Sequence, residues 1–141
     1  MHGELHLQSQ GPGLYDFTRD VNTWVGDSGI GSGLLTLFVR HTSCSLLIQE
    51  NADPDVQTDL LAWLMRTIPM ADTREMDFLT HRIEGPDDMP AHIKAAVLPV
   101  SLSIPVQHAR LVLGTWQGIY LFEHRTRPHR RTVALHLLAD R

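Results

Sequence analysis

The sequence predicts an α+β fold: a mainly antiparallel β-sheet or sandwich with a few packed helices. Three observations carry that reading. Several short runs of strand formers are separated by turn residues, and the helical patterns are confined to a few insertions between them. A chain of 141 residues with 43% hydrophobic content also suits one domain, residues 1–141, with a substantial core.

The elements follow in chain order. Glu4 to Gln8 alternates apolar and polar residues, and Gly11-Pro12-Gly13 turns the chain toward Leu14–Phe17, as in an edge strand or hairpin. Thr18 is the expected cap of a short helix running to about Val25. The following "GDSGIGSG" lacks the lysine of a phosphate-binding loop and reads as a connector. Leu34 to Arg40 is rich in strand formers and almost wholly apolar, which predicts a strand buried on both faces. Ser45 to Gln49 reads as the next strand. Asp53 then fits a helix N-cap, Pro54 the first helical position and Asp55 the positive end of the dipole. Val56, Leu60, Trp63 and Leu64 form the expected apolar stripe of that helix, which lasts to about Thr67. Met70 to Pro90 is polar and irregular, and Pro90 to Ala96 predicts a short helix. Strands are expected at Ser101–Val106, Arg110–Leu113, Ile119–Glu123 and Arg131–Leu138.

Composition excludes some function classes. The formal net charge of -4 argues against a nucleic-acid binder, because phosphate neutralisation needs a basic face. Lys94 is the one lysine, so the remaining positive charge sits on arginine forks suited to carboxylates or phosphates. The single cysteine, Cys44, rules out an intrachain disulfide and fits a reducing cytoplasm. There is no apolar run of membrane-spanning length and no signal-peptide pattern, so a cytoplasmic location away from the membrane is expected.

Chemistry is concentrated in four places. His81 and His92 bracket Glu84, Asp87 and Asp88 in a loop containing glycine and proline, which can fold two imidazoles and a carboxylate onto one divalent ion; a solvated acidic loop is the plainer alternative. His41 ends a strand beside Thr42 and Ser43, without the pattern of a nucleophile elbow, while Cys44 reads as a small buried hydrophobe. Glu50 and Asn51 precede a helix N-terminus, where an anion can dock unless Asp53 and Asp55 already satisfy it. Near the C-terminus, Trp116 reads as packing and Gln117 as a free amide. Glu123, His124 and Arg125 emerge at a strand end, and Arg127, Arg130 and Arg131 either surround a phosphate or form a solvated charged hairpin.

Three long motifs, "HTSCSLLIQENADPDV", "HRIEGPDDMPAHIKAAVLPVSLSIPV" and "GTWQGIYLFEHR", together resemble the YjbQ-like family, also called the secondary thiamine-phosphate synthase family. The resemblance runs from roughly Gly33 to the C-terminus. It implies antiparallel strands in a homotrimer with polar clefts at or near the subunit interfaces. It also implies that His41, His81 and His92 gather around a divalent metal ion, zinc first and magnesium with a diphosphate substrate. Glu50 and Glu123 are then the expected catalytic carboxylates, and Ser43, Asn51, Gln117 and Arg125 the expected substrate contacts. Two departures stand out: "HRTRPHRR" replaces an Asp-Gly-Pro-Arg type of turn, and Phe78 stands near where relatives often have a tyrosine. The implied reaction joins a hydroxymethylpyrimidine diphosphate to a thiazole phosphate with loss of diphosphate. The alternatives are a metal-dependent hydrolase of a small phosphorylated or ester substrate, with Glu50 or Glu123 as base, and a non-catalytic trimer that binds a metabolite or metal.

Overall fold

Short runs of strand formers, alternating at the edges and nearly continuous at Gly33–Val39 and Gln117–Glu123, produce eight strands, and three longer amphipathic stretches produce helices. The computed structural model describes residues 1–141. In order these are β1 (His2–Ser9), β2 (Gly13–Asp16), α1 (Thr18–Asp27), β3 (Gly33–Val39), β4 (Cys44–Glu50), α2 (Pro54–Thr67), α3 (Asp88–Val97), β5 (Ser101–Gln107), β6 (Arg110–Leu111), β7 (Gln117–Glu123) and β8 (His129–Ala139). A five-stranded sheet runs β1-β8-β3-β5-β6 and a three-stranded sheet runs β2-β7-β4, with every pairing antiparallel. The expected α+β fold is the one observed. No helix is long and apolar enough to cross a membrane.

The main core lies between the sheets. Leu35, Leu37 and Val39 of β3 and Val133, Leu135 and Leu137 of β8 meet Leu46 of β4 and Leu121 of β7, with Val21 and Val25 of α1 closing one end. A second, smaller cluster forms on the other face of the three-stranded sheet, where Phe122 packs on Leu64, Ile68 and Met76. β7 is therefore covered on both faces, and its residues from Gly118 to Glu123 are buried.

Local chemistry explains several boundaries and corrects others. The Asp53 side chain accepts from the Asp55 N–H at 2.9 Å, as expected of the α2 cap. Thr18 does not cap α1; it is the first helical residue, its hydroxyl donates to Asp16 and accepts from the Ile119 N–H, and so it ties α1 to β7. The strand expected to be buried on both faces is not: Leu34 and Phe38 are 43% and 49% exposed, because nothing in the chain covers the outer face of the five-stranded sheet. Trp63 lies outside the buried stripe of α2, and Trp116 is 63% exposed at the turn before β7 rather than packed. The β5–β6 turn places His108 and Ala109 at φ of 52° and 59°, a left-handed turn built without glycine.

Candidate functional site

The irregular segment between α2 and α3 is held by one side chain. Arg82 donates to the carbonyls of Leu79, Ala71 and Met76, each at 2.9 Å. Gly85 adopts a φ of 99° and its carbonyl accepts from the Asp88 N–H, which turns the chain into α3. That helix begins at Asp88, two residues before the expected start at Pro90, so Asp88 and His92 lie one turn apart on the same face.

His81, Glu84, Asp88 and His92 converge, with one ligand atom from each lying within 4.8 Å of the others. Asp88 Oδ2 is 2.8 Å from His81 Nε2 and 3.3 Å from His92 Nε2, while Oδ1 is 3.0 Å from Arg125 Nη1. His92 Nδ1 lies 3.0 Å from the Thr42 carbonyl. A carbonyl can only accept, so Nδ1 carries the proton, and in the neutral ring the Nε2 lone pair faces the cluster. This is how a second partner orients an imidazole for a metal. The donor set of two imidazoles and two carboxylates fits zinc or a similar divalent ion.

Three of the five N–H donors of Arg125 are engaged within the chain. Its Nε donates to Asp87 at 2.8 Å, Nη1 to Asp88 and Nη2 to the Glu84 carbonyl. Burial alone would raise the Asp87 carboxyl, but the Arg125 hydrogen bond and the Thr126 N–H outweigh it and bring it down to about 2. Beside this frame lies a polar cavity of about 640 Å³ lined by Asp72, Glu84, Asp87, Arg125, Thr126 and Arg127.

His41, expected among the metal ligands, stands outside the four-residue cluster. β3 ends at Val39, and beyond it the His41 ring takes the place of a backbone acceptor: the Thr132 N–H of β8 donates to Nε2 at 2.8 Å. The ring lines a second, mostly apolar cavity of about 390 Å³ with Phe38, Val39, Ala96, Val100 and His92.

Glu123, expected to be catalytic, is 0% exposed and faces neither cavity. Oε1 accepts from Ser9 Oγ at 2.5 Å and Arg131 Nε at 2.8 Å; Oε2 accepts from Arg131 Nη2 at 2.5 Å and the His124 and Arg125 N–H groups at 3.0 and 3.2 Å. Burial raises this carboxyl, yet the Arg131 and Ser9 hydrogen bonds prevail and hold it below the usual range. Ser43, expected to meet substrate, accepts from Arg131 Nη2 at 3.0 Å within the same buried group. Arg131 is thus an interior partner of Glu123 and not part of a surface phosphate cluster, whereas Arg130 is exposed. His124 is 2% exposed, with Nε2 2.8 Å from Ser45 Oγ and Nδ1 without a partner. Burial first and Lys94 second push its pKa down to about 3, so the ring is neutral at ordinary pH. Cys44 is buried as expected, its thiol pushed up by burial to about 12.

Glu50, Asn51 and Gln117 gather at the opposite end of the three-stranded sheet. Glu50 pairs with Gln117 and Cys44 with Glu123, so the two groups stand roughly 20 Å apart along the strand. There Glu50 accepts from the Asp53 N–H, Asn51 Nδ2 donates to the Gln117 carbonyl at 3.4 Å, and the Gln117 side chain closes the "GTWQ" turn by accepting from the Gly114 N–H. In the sequence Asp88 is one of three loop carboxylates between the histidines, with nothing in composition to choose it over Glu84 or Asp87. Its signal is the Asp-x-x-x-His spacing, visible only once the helix is started early enough.

A profile of the family described as UPF0047 protein YjbQ-like matches residues 3–140. UPF0047 protein sll1880 of Synechocystis sp. is 49% identical over 136 residues, covering 96% of this chain and 90% of that protein. UPF0047 protein YjbQ of Escherichia coli is 41% identical over 122 residues, with 86% and 85% covered. Among solved structures, the conserved hypothetical protein TT1486 of Thermus thermophilus superposes with a TM-score of 0.82 at 34% identity, covering 96% of this chain and 99% of that one. The hypothetical protein APE1520 of Aeropyrum pernix gives 0.87 at 26% identity, covering 99% of each.

Proposed function

The chain belongs to the UPF0047 YjbQ-like family, and from that premise we propose that it is a metal-dependent enzyme acting on a small phosphorylated substrate where α3 meets the end of β7. His81, Glu84, Asp88 and His92 are the residues that would hold the ion, zinc first among candidates. The observation that carries this is the His92 hydrogen bond to Thr42, which turns an imidazole lone pair toward a buried carboxylate with no structural need for it. A divalent ion supplies Lewis-acid polarisation and neutralises phosphate charge.

The polar cavity supports the pairing of metal with phosphate. Its lining carries the carboxylates of Asp72, Glu84 and Asp87 against the guanidiniums of Arg125 and Arg127, so an anion entering without a cation meets net repulsion. Arg127 and the ion are the first groups to receive it, with the two unpaired N–H donors of Arg125 beside them. The more specific reaction in this reading joins a hydroxymethylpyrimidine diphosphate to a thiazole phosphate. Hydrolysis of a phosphate ester is the second reading, favoured because Arg125 is committed to Asp87 and Asp88 and leaves little cationic surface for a diphosphate. The polar group at Glu50, Asn51 and Gln117 fits the same scheme if a homotrimer brings it beside the cluster of a neighbouring subunit.

The test uses purified protein with and without chelator, supplied first with the pyrimidine diphosphate and thiazole phosphate pair and then with simple phosphoesters. Chelator-sensitive turnover lost in Asp88→Asn supports the enzyme, and the released product separates transfer from hydrolysis. Bound metal without turnover would leave a binding protein. Sedimentation equilibrium at micromolar concentration reads the assembly, and a stable monomer would remove the shared cleft.

A further inference from the structure

The apolar cavity beside the metal cluster has a chemistry of its own, set by His41. The Thr132 N–H can only donate, so His41 Nε2 must hold a lone pair and the ring's single proton sits on Nδ1. Nδ1 has no partner in the chain and is not among the buried atoms left unsatisfied, so it reaches solvent. Phe38, Val39, Ala95, Ala96 and Val100 make most of the remaining wall apolar, Thr42 and His92 are its other polar members, and no carboxylate, lysine or arginine lines it. A charged ligand group would lose hydration there and meet no side chain of fixed opposite charge to compensate it.

We propose that His41 is a fixed neutral hydrogen-bond donor, and that its cavity takes an uncharged, planar organic group bearing an acceptor oxygen or nitrogen. Burial first and the Arg131 charge second hold the His41 pKa below its ordinary value, which keeps the ring neutral and its Nδ1–H in place. His92 lines this cavity and also belongs to the four-donor cluster, whose Glu84 lines the polar cavity. The substrate then has two unlike halves, one phosphorylated and one neutral, with the reacting bond between them. This link between halves rests on the proposed function; the donor role of His41 does not.

Two measurements on the full chain test it. Long-range nitrogen–proton NMR correlations of the His41 ring report the tautomer, and Nδ1–H is expected; a ring protonated at Nε2 would overturn the proposal. Titrations with benzamide, toluene and benzoate, read on the methyl signals of Ala95, Ala96 and Val100, report the ligand class. Benzamide is expected to bind roughly fivefold tighter than toluene, the value of one net neutral hydrogen bond, and benzoate more weakly than either. His41→Phe should erase the benzamide advantage and leave toluene unchanged, while His41→Gln, whose amide can accept from Thr132 and still donate, should keep it. Equal benzamide preference in His41→Phe, or no shift at these methyls with any probe, would overturn the inference. Zinc binding in the same samples is independent: zinc without benzamide leaves the proposed function standing alone, and benzamide without zinc does the reverse.

Discussion

Glu123 and Asp88 are both carboxylates held by arginine and hidden from solvent, at 0% and 2% exposure, yet they serve different ends. Glu123 is saturated by five donors from Ser9, Arg131 and two backbone N–H groups, none of which has an open face. Asp88 gives one oxygen to Arg125 and turns the other toward the Nε2 atoms of two partly exposed imidazoles, at 2.8 and 3.3 Å. Fixed donors on every lone pair make a frame. Exchangeable partners at the edge of solvent make a site an ion can enter.

The sharpest way to break that comparison is Glu123→Gln. It leaves the Arg131 guanidinium buried without its counter-charge and should cost about 3–5 kcal/mol in urea denaturation. A loss below about 1 kcal/mol, the scale of an exposed ion pair, would put the two carboxylates in one class. Next in size is the acid limb of stability. His124 folds neutral with its pKa near 3 against 6.5 unfolded, so the unfolded chain binds the extra proton and stability falls as pH drops from about 6.5 toward 3. Asp87, folded near 2 against 3.8, keeps its full contribution above about pH 4 and loses it only below that, as pH falls toward 2. Melting curves of His124→Phe should therefore be flatter than the parent between pH 6 and 4 as an order-of-magnitude window, and an unchanged slope would remove the buried neutral imidazole as the cause.

Asp88→Asn is the complementary test. It should cost roughly 1–2 kcal/mol, because Arg125 keeps Asp87, yet abolish any rise in melting temperature on adding zinc. A zinc response that survives would move the ion away from Asp88. The smallest effect belongs to a place remote from both carboxylates: Ala109→Gly relieves the left-handed turn and should stabilise by about 0.5–1 kcal/mol without touching the zinc response.

The strands were legible because their periodicity is a property of adjacent residues, and the Asp53-Pro54-Asp55 start of α2 because caps are local too. What escaped depends on what lies across the sheet or beyond a turn. Leu34, Phe38, Trp63 and Trp116 are apolar by identity, but their exposure is decided by the absence of a covering layer, which no window of sequence records. Site residues divided in the same way. His81 and His92 share one loop and one helix and were paired from spacing alone. His41 joins them only through the family resemblance, and in the fold its ring closes the β8 ladder outside the four-residue cluster. Glu123 drew attention as a charge at a strand end, and nothing nearby in sequence announced that Ser9 and Arg131 would enclose it.

Arg82 adjoins His81 and clamps three carbonyls of a segment otherwise poor in regular structure. Asp88 and His92 ride on a helix, whereas His81 and Glu84 sit in the irregular segment that the clamp braces. Opening the clamp would loosen one imidazole and one carboxylate of an occupied site and leave the helical pair standing. The lifetime of a bound ion would then be timed by a guanidinium that never touches it, and Arg82→Lys should shorten residence far more than it weakens the helix.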